Sequence, residues 1–154
     1  MSHFTFFVMT MLVFDTPPEK FNSTMNTVGF FGIYQDKILH LLRQDHKPEG
    51  NKRAGPWGKI DSTDDDPEQA TIRELREETG IKLDKVEFIK TFYVRYPDRD
   101  FIYHKFKHTF TEKPEVKIKV DEHKWFDWFT PEEALEHELL LWEDEVIKDI
   151  YNIK

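Results

Sequence analysis

The chain has 154 residues, of which 38% are hydrophobic and 34% charged, and its formal net charge is -8. That length suits one domain spanning residues 1–154, and 14 Phe and 4 Trp supply enough large side chains for a packed core, unlike a disordered chain. Cysteine is absent, which excludes disulfides, thiolate metal sites and thiol nucleophiles and fits a reducing compartment. The acidic balance argues against general affinity for nucleic acid, which needs basic patches, so a polyanionic substrate would require a metal ion.

The apolar run FTFFVMTMLVF, residues 4–14, lacks the basic flank and small-residue cleavage site of a signal peptide and is too short to span a bilayer. It predicts a buried strand, no membrane association and a cytoplasmic location. Next, TVGFFGIYQDKILHLLR predicts two strands around a tight turn at Gln35 and Asp36. A polar loop over residues 44–55 returns at PWGKI. In DSTDDDPEQA, Asp66 can cap a helix and Pro67 suits its first position, while Gly80 suits its stop, which predicts a helix over 67–79. The segments KVEFIKTFYVRY and FIYHKFKHTF predict a second strand pair joined by PDRD, and alternation through EVKIKVDEHKWFDWF predicts another strand. A Thr cap with Glu three residues on opens a short helix at TPEEALEHE, and a closing helix is expected from about Leu141 to Ile150. Hairpins interspersed with helices imply an α/β class with a mixed sheet.

One helix face stands out. Glu74, Glu77 and Glu78 are spaced i, i+3 and i+4 and share a face, while Ile72, Leu75 and Thr79 fall on the opposite side. Three like charges at these spacings repel by a few tenths of a kcal/mol per pair. Arg73, four residues before Glu77, and Arg76 offer internal ion pairs; a hard divalent cation offers another counter-charge. On composition alone, a solvated surface is the commoner explanation. The wording of the segment tells against it: RELREETGI, residues 73–81, meets the pattern Arg-Glu-apolar-any-Glu-Glu-any-Gly-apolar at every specified position.

That pattern is the Nudix box, and the sequence resembles the Nudix hydrolases over the 24 residues from Gly58 to Ile81. The resemblance implies a Nudix-type α/β/α sandwich, a mixed sheet flanked by helices. It also implies Mg²⁺ or Mn²⁺ held by Glu77 and Glu78, with Glu74 as a further ligand or an activator of water and Arg73 orienting Glu77. Gly58 would let the backbone approach the metal or a phosphate, its carbonyl being a candidate ligand. The loop departs from the family: Asp65 stands where the family has an upstream Glu, the spacing from Gly58 is one residue longer, and Trp57 replaces a second glycine.

Some members take a general base from a later loop, and VDEHKW offers Asp121 and Glu122, of which Glu122 is the candidate here. His104, His108 and His123 are further acid or base candidates, although lone strand histidines are more often structural. Candidate phosphate donors are Arg43 and Lys59, with Lys52 and Arg53 in the preceding loop. Candidate platforms for a base are Trp57, Tyr103 and Phe106.

The resemblance implies hydrolysis of a nucleoside diphosphate linked to another group. The stretch FIKTFYVRYPDRDFIYHKF looks like the MutT-type members, which points to a nucleoside triphosphate pyrophosphohydrolase. Alternatives are an ADP-ribose or nucleotide-sugar hydrolase, a dinucleoside polyphosphate hydrolase, and removal of pyrophosphate from an RNA 5' end, which the acidic balance disfavours. A non-catalytic nucleotide-binding module is the rival from another class; the intact carboxylates weigh against it. Both a monomer and a homodimer are compatible with the sequence.

Overall fold

The structure, a computed structural model, describes residues 12–154. Eight strands and three helices follow in chain order: β1 (Val13–Phe14), β2 (Ser23–Tyr34), β3 (Lys37–Arg43), β4 (Arg53–Ala54), β5 (Trp57–Lys59), α1 (Pro67–Thr79), β6 (Glu87–Tyr96), β7 (Arg99–Thr109), β8 (His123–Phe129), α2 (Pro131–Ala134) and α3 (Glu143–Tyr151). The strand expected over residues 4–14 lies outside the described residues except at its end, where β1 pairs with β6. No helix of the described residues is long and apolar enough to cross a membrane.

β2 organises the sheet. It runs parallel to β7 along most of its length, and its other edge forks, pairing antiparallel with β5 near residues 27–29 and with β3 at Ile33 and Tyr34. The β2–β3 turn takes Gln35 and Asp36 at φ 49° and 62°, the left-handed pair whose twist matches that of the flanking strands. β3 carries β4 and β8, so the sheet is mixed, as expected.

Alternation along the inner strands divides the core in two. Val28, Phe30, Leu39, Leu41 and Phe106 meet Ala70 and Leu75 of α1 on one face. Phe31, Ile38, Phe92 and Phe101 meet Val146 and Ile147 of α3 on the other. Each face buries its apolar half against a helix, which makes the α/β/α sandwich.

α1 follows its sequence signals closely. The Asp66 carboxylate accepts from the Gln69 N–H at 2.8 Å, Pro67 takes the first position, and Gly80 at φ 73° donates its N–H to the Arg76 carbonyl. α2 has the expected capping box between Thr130 and Glu133. The alternating segment 115–129 corrects the sequence expectation, because only its second half is a strand. Val116 and Ile118 do point into the α1-side core, but their backbone bonds to α1: Lys117 and Lys119 donate to the Thr79 and Glu78 carbonyls. Alternation reports which residues are buried, and this segment meets a helix end where a strand would be needed for a ladder.

Candidate active site

α1 presents its acidic face to β5 and to the turn before β8. Glu77 is half exposed, Glu74 is mostly covered, and Glu78 is buried at 5% exposure, so the face is graded from solvent into the molecule. Glu78 is held from two sides: its Oε2 accepts the Trp57 N–H at 3.1 Å, and its Oε1 lies 3.3 Å from His123 Nε2. Burial pushes the Glu78 carboxyl well above its usual range, and the nearby Glu122 charge adds to this; the Trp57 N–H and Arg43 act the other way. Burial also lowers His123 to about 4, so near neutral pH this contact is a hydrogen bond rather than an ion pair.

Glu74 packs directly on Gly58. A β-carbon at residue 58 would collide with the Glu74 carboxylate, so glycine is required by close approach. Desolvation, and then the Glu78 charge, raises Glu74 to about 7 despite its ion pair with Arg73. Arg73 ties this group together. Its Nε and Nη2 grip Asp64 at 2.8 Å each, Nη1 reaches Glu74 at 2.9 Å and Glu77 at 3.2 Å, and Nη2 also bonds the Lys59 carbonyl at 3.0 Å. The loop acid that meets Arg73 is therefore Asp64, nine residues upstream, while Asp65 is exposed. The one-residue-longer loop shifts the register of its acids: Asp61, Thr63 and Asp64 bond among themselves and turn Asp64 inward.

Glu122 and His123 approach from the opposite side. Each offers one ligand atom within 4.8 Å of the others and of Glu78. His123 opens β8 at a bulge: it pairs with Arg43, whereas Trp125 pairs with Leu42, leaving Lys124 as the extra residue. Without the bulge, His123 and Trp125 would share a face; with it, His123 is 4% exposed and Trp125 57%.

This donor set fits a divalent cation. It consists of carboxylates on one rigid helix, a further carboxylate and an imidazole facing them, and a glycine that leaves room. The buried His123 Nδ1 has no hydrogen-bond partner among the described residues. Glu74, Glu77, Glu78 and Glu122 are the residues that would hold it. The Gly58 carbonyl has no structural assignment beyond its place in β5.

A cavity of about 350 Å³ is lined by Arg43, Trp57, Tyr96, Phe101 and Trp142 among others, and Trp57 connects it to Glu78 through its N–H. The aromatic rings meet edge to face, Trp57 on Trp142 at 5.0 Å and Tyr96 on Trp142 at 5.6 Å. Arg43 lines the cavity, donates from Nε to the Pro48 carbonyl at 2.7 Å, and its charge acts on Glu78. Sequence reasoning picked out Arg43 and Trp57 here but missed Tyr96, Phe101 and Trp142. Trp142 lies 85 residues from Trp57, and nothing local in the sequence links them.

Other candidates lie elsewhere. Tyr103 is corrected: it is 1% exposed in the α3-side core, with its hydroxyl accepting from Lys105 Nζ at 3.1 Å. It cannot stack on a base, because β7 is flanked by β2 and β6 and covered by α3 at that point. Phe106 is buried on the α1 side. Arg53 is turned onto Asp127 at 3.3 Å and the Phe129 ring, away from the cavity lining. Lys52 pairs with Glu49, and the Lys59 side chain is exposed. His104 bonds Thr91 and His108 packs on Phe110, both outside the cluster.

The profile of the NUDIX domain family matches residues 23–150. Among solved structures, the chain is similar to a MutT NUDIX hydrolase from Burkholderia pseudomallei (TM-score 0.71, 20% identity, 82% of this chain and 97% of that one). It is also similar to the NUDIX domain of Shewanella oneidensis NrtR, solved with ADP ribose (TM-score 0.72, 19% identity, 90% and 93%). A third likeness is to the E. coli dihydroneopterin triphosphate pyrophosphohydrolase (TM-score 0.68, 16% identity, 86% and 99%). No curated protein matches the sequence. With the box on α1, the sandwich around it and the family profile over most of its length, the chain belongs to the NUDIX family and is a hydrolase of phosphorus-containing acid anhydrides.

Proposed function

We propose that the protein hydrolyses nucleoside triphosphates to a nucleoside monophosphate and pyrophosphate, with Mg²⁺ or Mn²⁺. The observation that carries this reading is that Trp57 joins two surfaces: its N–H bonds Glu78 of α1, and it lines an aromatic cavity that Arg43 also lines. The anhydride would lie over the carboxylates, Arg43 would pair with a phosphate, and the base would enter the cavity against Trp57 and Tyr96. At about 350 Å³ the cavity is near the lower end of ligand sites, roughly 300–1,000 Å³, which favours one nucleoside over the two of a dinucleoside polyphosphate.

The bound cation would offset substrate charge and acidify a water. The residues do the rest. Arg73 fixes Glu74 and Glu77 against the helix, and Gly58 lets Glu74 lie close to β5. Glu122, on the facing turn, would accept the proton on the carboxylate oxygen not bound to the ion as water attacks phosphorus and the bridging P–O bond breaks. The lack of cysteine agrees with a cytoplasmic location.

ADP-ribose is the second reading, favoured by the likeness to a NUDIX domain solved with that ligand. Incubating the protein with Mg²⁺ or Mn²⁺ and a panel of nucleoside triphosphates, ADP-ribose, nucleotide sugars and dinucleoside polyphosphates, with Glu77→Gln beside it, decides between them. Monophosphate and pyrophosphate from triphosphates, lost in the variant, is the expected result. Turnover of ADP-ribose alone would move the assignment to the second reading. No turnover, with metal-independent nucleotide binding, would replace both with a binding module.

A further inference from the structure

The box carboxylates of α1 are all oxygen donors, but the cluster at the inner end of the site is not. The ligand atoms of Glu78, Glu122 and His123 lie within 4.8 Å of one another. His123 Nε2 is 3.3 Å from Glu78 Oε1, close to the roughly 3 Å between neighbouring ligand atoms on an ion with bonds of about 2.1 Å. The imidazole is more than nine-tenths buried, and its Nδ1 has no partner among the described residues. Nε2 faces Glu78, so in either neutral tautomer it is Nδ1 of this buried side chain that is left without a partner. A β-bulge is what turns this histidine inward, while its neighbours Lys124 and Trp125 stay exposed. Lys119, the counter-charge of Glu122 at 3.5 Å, is itself exposed and able to yield to an ion.

Mg²⁺ takes carboxylates and water, whereas imidazole suits first-row transition ions. We propose that Glu78, Glu122 and His123 form a mixed oxygen–nitrogen site for a transition-metal dication of the Mn²⁺, Co²⁺ or Zn²⁺ class, beside the all-carboxylate position at Glu74 and Glu77. This deepens the functional reading above and rests on it. His123 makes the site selective: it supplies the donor that Mg²⁺ uses least.

The test reads metal binding without turnover. Mn²⁺ and Mg²⁺ are titrated separately by calorimetry into wild-type protein, His123→Asn and Glu122→Gln, and pulsed EPR of the Mn²⁺ form reports nitrogen couplings. Imidazole coupling is expected in the wild type and in Glu122→Gln, and is lost in His123→Asn. Mn²⁺ affinity should fall about 10–100-fold in His123→Asn, as when a metal site loses a supporting group, while Mg²⁺ affinity stays within about twofold. Oxygen-only Mn²⁺ in the wild type, or equal losses for both ions, would overturn the proposal; the wild-type spectrum decides even where His123→Asn fails to fold. Imidazole-bound Mn²⁺ in a protein that hydrolyses no nucleotide would instead keep the site and overturn the function, and turnover with oxygen-only Mn²⁺ would do the reverse.

Discussion

The carboxylate of Glu74 fills the space that a β-carbon on Gly58 would need. The contact joins β5 to the acidic face of α1 through the far end of a flexible side chain, so a larger residue can be admitted only by displacing the carboxylate. Gly58→Ala is expected to fold with a loss of at most about 1 kcal/mol and to lower kcat about 10–100-fold, since misplacing a reacting group by an ångström has that effect. Steady-state kinetics beside urea unfolding checks it; an Ala variant with full activity would show that the position of Glu74 is unimportant.

Asp64 and Asp65 are neighbours with opposite expected phenotypes. Asp64→Asn breaks a two-point ion pair that is nearly closed to solvent, with an expected loss of about 1–3 kcal/mol of stability and a drop in turnover as Arg73 releases Glu74 and Glu77. Asp65→Asn should stay within about 0.5 kcal/mol of wild type. Chemical unfolding of both variants tests the assignment, and the reverse ranking would restore the register read from the sequence.

Glu77→Gln removes one charge from a repelling cluster while keeping its shape. It should fold normally and lose about 10²–10⁴ of kcat, a range typical of removing a charge-stabilising group. Circular dichroism and product chromatography together separate lost chemistry from lost structure.

Stability of the protein without added metal should depend on pH with a definite sign. Glu74, raised from 4.5 to about 7, and Glu78, also raised by burial, keep protons in the folded state that the unfolded chain has shed, so they stabilise the fold at low pH, and the Glu74 contribution is lost as pH rises through 7. His123, lowered from 6.5 to about 4, works the other way between those values and is neutral in both states above 6.5. From pH 6.5 to 8 the Tm is therefore expected to fall by about 2–4 °C per kcal/mol of this effect. Added Mg²⁺ or Mn²⁺ should reduce the fall by favouring the ionised carboxylates, and Glu74→Gln should flatten it. Scanning calorimetry across this range, with a rising Tm, would contradict the assigned shifts.

Two aromatic substitutions distinguish cavity from core. Trp57→Ala should raise KM about 10–100-fold if a base stacks there. Tyr103→Phe should leave KM unchanged and cost about 1 kcal/mol, the value of the Lys105 hydrogen bond. Nucleotide titrations and unfolding curves on the same preparations read both effects.

Local signals in the sequence determined α1 and its acidic face, the β2–β3 turn and the α2 capping box, because caps, left-handed turn residues and helical spacing act within a few residues of one another. The Nudix box belongs to the same class, nine residues over the end of one helix and its cap. Tertiary structure alone decided what those carboxylates face. The bulge that aims His123 and the contacts of Trp142 with Trp57 and Tyr96 join segments separated by 45 to 85 residues, the choice of Asp64 over Asp65 depends on how the longer loop folds back onto Arg73, and Tyr103 was misplaced because strand alternation cannot tell a core face from a cavity mouth. Backbone propensity is local; burial and cavity shape depend on which strands pair and which helix covers them.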